Sequence, residues 1–133
     1  MFCKTKLIAY KVVNKYTTSM DCIFCKIVKG VAPSKIQGES KSVIAFDSIA
    51  PVAKYHILIT PKKHLDTFLD VKRADAELFY EMIYLAQKII REKKIDGGYK
   101  LLFNGGKYQV VNHLHWHLLG GELEDVHDIL NNT

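Results

Sequence analysis

Asn112-His113-Leu114-His115-Trp116-His117-Leu118-Leu119-Gly120-Gly121 sets three of the chain's six histidines at every second position. In an extended segment successive side chains point to opposite faces, so His113, His115 and His117 share one face and Leu114, Trp116 and Leu118 the other. A helix, turning about 100° per residue, would scatter the three rings. The alternation predicts a strand. A single histidine is most often a packed or solvated side chain, but three in strict step, backed by an apolar face holding the chain's one tryptophan, point to chemistry. Three charged imidazoles in a row would repel, so at least some are expected to be neutral near pH 7 and able to act as nucleophile or ligand.

Outward from this stretch, the 133 residues are enough for one domain with a single core. With 48% hydrophobic and 25% charged residues the composition is that of an ordinary soluble globular protein. No apolar run approaches the roughly 20 residues that cross a bilayer, so no membrane partner is expected. The formal charge of +5 is local. Lys4, Lys6, Lys11 and Lys15 stand in a first stretch without acids, leaving fifteen basic against fourteen acidic side chains from Asp21 onward. Without a basic stripe interleaved with aromatics, no nucleic-acid partner is expected. Cys3, Cys22 and Cys25 are too few for a disulfide framework and suit a reducing, cytoplasmic setting.

Residues 1–19 are expected to be a basic N-terminal extension, and 20–133 the folded domain. A mitochondrial presequence is the alternative reading of the extension, against which stands its lack of arginine. Asp21 to Gly30 reads as a short helix with a glycine stop. Ser42–Phe46 and Tyr55–Ile59 read as strands, the second ended at Thr60-Pro61 because proline cannot donate to a ladder. The longest helix is expected from about Val71 to Lys94, with Asp70 as cap and Asp96-Gly97-Gly98 as stop. Its apolar stripe is Leu78, Phe79, Met82, Ile83, Ala86, Ile89 and Ile90; Asp75, Glu77, Glu81, Lys88, Arg91 and Glu92 suit the wet side. Tyr99–Phe103 is a third strand that can pair with the histidine strand through the turn Asn104-Gly105-Gly106-Lys107. Beyond Gly121 the tail is acidic and mildly amphipathic, as for a helix. These elements predict an α+β fold, one antiparallel sheet with one long and one short helix.

His-x-His-x-His with apolar flanks resembles the signature of the histidine-triad family, and Leu118-Leu119-Gly120-Gly121 resembles its Hint-like branch of small homodimeric purine nucleoside phosphoramidases. The similarity spans about Asp21 to Gly121. What it implies is a hydrolase that cleaves adenosine 5′-monophosphoramidate-type substrates to AMP through a covalent nucleotidyl-histidine. Carried over by position, His115 is the nucleophile, His117 donates to a phosphate oxygen, and His56 and His113 complete the catalytic set. For His56, a buried ring bonded to a backbone carbonyl is the competing role. Asn104 and Gln109 match nucleotide contacts, with Gln109 in the loop that wraps the phosphate. Phe24, Ile27, Ile49 and Leu58 match the base pocket, though as bare sequence they are simply core-like. Ser48 stands where the branch has a ribose-binding aspartate, and Val110 where it has a serine near the leaving group. The Asn104–His113 loop is about two residues shorter than in the branch it resembles. A nucleotide-binding scaffold with little activity and a diadenosine polyphosphate hydrolase are the alternative functions. No organic cofactor is implied.

Cys22-Ile23-Phe24-Cys25 raises a second site, since thiolates three apart on a helical turn can face one metal ion. Some family members resembling this chain carry structural zinc there, and the resemblance implies His64 and His113 as the remaining ligands. The competing use, a redox pair, lacks its thioredoxin-like context.

Overall fold

Strand alternation divides the apolar residues between two faces of one sheet. The computed structural model describes residues 21–123; the extension read over 1–19 and the tail beyond Leu123 lie outside them. The five strands are β1 (Ile36–Glu39), β2 (Val43–Asp47), β3 (Ala53–Pro61), β4 (Tyr99–Leu102) and β5 (Trp116–Leu123), ordered β1-β2-β3-β5-β4 with every neighbouring pair antiparallel. Among the described residues two α-helices, α1 (Ile23–Val28) and α2 (Ala76–Glu92), complete the α+β fold.

Val43, Ala45, Ile57, Ile59 and Leu118 face α2, whose Met82, Leu85, Ala86, Ile89 and Ile90 recur at i, i+3, i+4, i+7 and i+8 and are all buried. On the other face, Ile44, Phe46 and Leu58 pack beneath α1 with Phe24, Cys22 and Cys25. The expected pairing of β4 with β5 forms, with Leu102 opposite His117, but through the long connection 103–115, which holds a 3-10 turn at Gly106–Tyr108, and not through a tight turn at Asn104–Lys107. β1, absent from the sequence reading, runs along β2 at the sheet edge, where a Cβ on Gly38 would come within 2.9 Å of Leu85.

The long helix starts later than expected. Thr67 and Asp70 cap each other around the 3-10 turn Phe68–Asp70, so Asp70 serves that turn and not α2. A second 3-10 turn, Arg73–Asp75, leads into α2. Asp75 is not on the wet side: it is 5% exposed, accepts the Lys72 N–H at 2.9 Å and pairs with Lys63 Nζ at 2.9 Å. At the far end the stop is Lys94, at φ 57°, before the glycines are reached. Its N–H bonds to Arg91 O and that of Ile95 to Ile90 O, the paired bonds of a Schellman turn. The turn drives Ile95 into the core against Gly120, where any Cβ would collide with it. Gly121 follows at φ 76°, with Lys54 too close to admit a side chain. Each glycine of Leu-Leu-Gly-Gly therefore has its own steric reason.

β5 begins only at Trp116, so His113 and His115 lie just before the strand and not in it. Their backbone is bonded elsewhere. Leu114 N–H donates to Leu65 O at 2.7 Å, and buried Thr60 Oγ1 donates to Leu114 O at 2.6 Å. The side chains still alternate, with His113 and His115 turned toward Phe24 while Trp116 packs on the α2 side.

Candidate active site and metal centre

His115 is 7% exposed, and its Nδ1 lies 2.7 Å from the carbonyl of His113. A carbonyl only accepts, so Nδ1 carries the proton and Nε2 keeps the lone pair. The opposite tautomer is imposed on His117. Val52 N–H donates to His56 Nδ1 at 3.2 Å, so the His56 proton sits on Nε2 and is donated to His117 Nδ1 at 2.9 Å. That leaves His117 with its own proton on Nε2. The contact is diagonal across β3 and β5, because His117 stands opposite Leu58 and His56 opposite Leu119. With ring centroids 5.0 Å apart, His115 and His117 set a lone-pair nitrogen beside an N–H donor.

Burial keeps these rings neutral. It pushes His115 down to about 4, an effect opposed by the bond to the His113 carbonyl and reinforced by the nearby His113 ring. His117 falls to about 3 through burial and then the neighbouring His115 and His56, and His56 to about 4 through burial and then His115. Among the described residues the His56 ring bonds no backbone carbonyl. Its backbone partner is a donor, which is why it can fix a tautomer.

The base-pocket candidates divide. Phe24 and Leu58 are buried with half-buried Ile27 beside them, whereas Ile49 is 63% exposed and so not core. Phe24 sets its edge against His115 at 5.0 Å and against Phe46 at 5.2 Å. Ser48 N–H donates to His56 O, and Ser48 Oγ accepts the Ala50 N–H, placing that residue beside the histidine row. Asn104 is half-buried just past β4, and Val110 is exposed. Gln109 differs from expectation: its Nε2 donates to Asp66 O at 2.6 Å and to Val111 O at 3.0 Å, so neither amide proton is available to a phosphate. Both partners are carbonyls, which fixes the amide orientation and leaves buried Oε1 without a protein partner among the described residues. Gln109 fastens a loop.

Cys22, Cys25, His64 and His113 come together with all ligand atoms within 4.8 Å of one another. His113 Nδ1 lies 3.4 Å from Cys22 Sγ and 3.6 Å from Cys25 Sγ, and His64 Nδ1 lies 3.2 Å from Cys25 Sγ. Zinc bonds of about 2.3 Å to sulfur and 2.0–2.1 Å to nitrogen give tetrahedral S···N edges of about 3.6 Å, so the donor set fits. Each imidazole is also oriented from behind. His113 Nε2–H donates to Pro61 O at 2.8 Å, and His64 Nε2 meets Asp66 Oδ1 at 2.6 Å. The hydrogen bond between the two thiols holds Cys25 below and Cys22 above the ordinary thiol range. Both ring nitrogens of His113 are turned to this cluster and to Pro61 O, and only its carbonyl meets the His115 ring. Asp66, Thr60 and Pro61 were missed. Asp66 lies two residues after a metal-type histidine, a signal available in the sequence; the other two act through contacts that only the folded chain makes.

Comparison with known proteins bears on the same residues. A family model described as HIT domain matches residues 29–124, beginning just after α1. The purine nucleoside phosphoramidase of Escherichia coli (strain K12) is 38% identical over 104 residues, covering 76% of this chain and 87% of that protein. A solved histidine triad protein from Clostridium difficile matches at TM-score 0.74 and 42% identity, over 77% of this chain and 92% of that one. A HIT family hydrolase from Legionella pneumophila Philadelphia 1 matches at TM-score 0.74 and 40% identity, over 79% and 96%. Sheet order, histidine row and these likenesses agree: the chain belongs to the HIT family.

Proposed function

We propose that this protein hydrolyses purine nucleoside 5′-phosphoramidates to the nucleoside monophosphate and an amine. The observation that carries the reading is the opposed tautomers of His115 and His117, a lone pair beside a proton. His115 Nε2 attacks the α-phosphorus as the P–N bond breaks, while His117 Nε2–H donates to a phosphate oxygen and the leaving nitrogen departs as the amine with a proton taken from solvent. Water then attacks the nucleotidyl-histidine. The P–Nε2 bond breaks, the nucleotide leaves, the water's proton returns to solvent, and His115 regains its lone pair on Nε2. Val110 has no hydroxyl to share in protonating the leaving group. Phe24, Ile27, Leu58 and Ile49 hold the base, with Ser48 and Asn104 toward the sugar. The similarity to the E. coli phosphoramidase supports this substrate class. Adenosine 5′-phosphoramidate is the test substrate: protein quenched in alkaline denaturant, where the P–N bond to imidazole survives, is expected to carry AMP on the peptide containing His115. Wild-type protein that binds AMP but turns over nothing would overturn the enzyme in favour of a binding module.

Zinc at Cys22, Cys25, His64 and His113 is part of the same proposal, as a structural ion that links α1 to the sheet. Metal analysis of untagged protein is expected to find about one zinc per chain. Homodimerisation is supported by an apolar surface: Tyr99 and Leu101 on the free edge strand β4, and Tyr80, Ile83 and Tyr84 on α2, are all exposed. Leu101→Lys is expected to halve the mass measured by light scattering. A cytoplasmic setting is proposed because the thiolates must stay reduced; fractionation of the tagged full-length chain with mitochondria would overturn it.

A further inference from the structure

The metal cluster and the histidine row share His113 and are joined by further contacts. His113 is fully buried and held at three points: Nδ1 toward the thiols, Nε2–H on Pro61 O, and its carbonyl on His115 Nδ1–H. That carbonyl is what sets the lone pair on His115 Nε2. A second connection runs through His64, whose neighbour Asp66 holds the ring by its carboxylate and receives Gln109 by its carbonyl. A third is the Leu114 N–H to Leu65 O bond, which ties the segment after His64 to the segment before His115. Finally, Phe24 lies between the two cysteines in sequence and sets its edge against His115. α1 is only six residues long, too short to be stable by itself, so its place depends on what it is fastened to.

We propose that the Cys22–Cys25–His64–His113 centre is a positioning centre for the nucleophile and the nucleotide pocket: metal occupancy sets the His115 tautomer through the His113 carbonyl and seats Phe24 through α1. His113 and Asp66 are positioning residues, since their effect on the reaction passes through other groups. This rests on the phosphoramidase reading, but its consequences precede any turnover. In the metal-free chain His113 loses the constraint on Nδ1, its ring and carbonyl gain freedom, and His115 can exchange its proton between nitrogens. AMP then meets a loosened base pocket and a mixed nucleophile.

The test follows occupancy with readouts other than rate. Imidazole nitrogen NMR of the full chain, zinc-loaded and then chelated, is expected to show His115 moving from the pure Nδ1–H form to a mixture, with AMP affinity falling about tenfold or more by calorimetry. Circular dichroism monitors the fold throughout. Should chelation unfold the chain, Asp66→Ala decides, because it keeps the carbonyl that receives Gln109 while weakening the hold on His64. Titrated with Zn²⁺, this variant is expected to gain AMP affinity and the His115 Nδ1–H signal in step with occupancy. AMP affinity within about twofold at zero and full occupancy, with an unchanged His115 tautomer, would overturn the proposal. A loaded wild type that binds AMP without turnover would instead remove the phosphoramidase reading and leave this coupling to be measured by binding.

Discussion

The two faces of the sheet are held by different forces. Toward α2 the contacts are aliphatic and dispersed: Ile57, Ile59, Val43 and Leu118 meet Met82, Leu85 and Ile89, and no single contact decides the outcome. Toward α1 the apolar cluster is smaller and interrupted by polar groups whose hydrogen bonds have directions: His56, Thr60, His113, His115 and Gln109 are all buried. Apolar packing tolerates small movements, whereas a tautomer relay does not, because each link is defined by which nitrogen carries a proton. The fold thus places most of its stability on one side of β3 and β5 and its chemistry on the other.

The sharpest break of that division is His115→Ala. It is expected to lower kcat/KM for adenosine 5′-phosphoramidate on the order of 10³-fold or more while AMP binding survives, because it removes the nucleophile and little packing. The reverse experiment is Leu118→Ala, which opens a hole under α2. It is expected to cost about 2–5 kcal/mol in urea unfolding and to leave kcat of the folded fraction nearly unchanged. A comparable loss in kcat would show that the faces are coupled.

Acid distinguishes the faces without mutation. His56 and His117 have folded values of about 4 and about 3, below the ordinary value of 6.5, so the unfolded chain binds more protons between. Their contribution is therefore fully present above about pH 6.5 and is lost as pH falls from 6.5 toward 4, on the order of a few kcal/mol. Chemical denaturation across that range is expected to show this fall, and His117→Phe to flatten it. The smallest effect is expected from His56→Leu. It leaves His117 able to move its proton to the wrong nitrogen and should lower kcat about 10- to 100-fold, with KM for the nucleotide little altered. An unchanged kcat would mean that the His117 tautomer is set from elsewhere.

Much of this was readable from residue types at fixed steps. The alternation of His113, His115 and His117 announced the reactive face, and the recurrence of Met82, Ala86, Ile89 and Ile90 announced α2, although Leu85 and not Ile83 completes its buried side. Cys22 and Cys25, three apart on one helical turn, announced a ligand pair. Errors came where a local signal met a tertiary partner. Asp70 looked like the cap of a long helix but is used by Thr67 in a separate turn, and Asp75, an ordinary wet-side acid by pattern, is drawn inside by Lys63 and the Lys72 amide.

Sequence by itself determined the period of each element and the types of donor available, because side-chain direction along a strand or helix follows from backbone geometry alone. It could not determine which nitrogen of His115 or His117 carries the proton, nor that Gln109 spends its amide on Asp66 and Val111. Those depend on carbonyls and amides brought together from positions far apart in the chain. The metal cluster joins residues 22 and 113 for the same reason: ligand type is local, but a coordination site exists only where the sheet brings the chain back to the short helix.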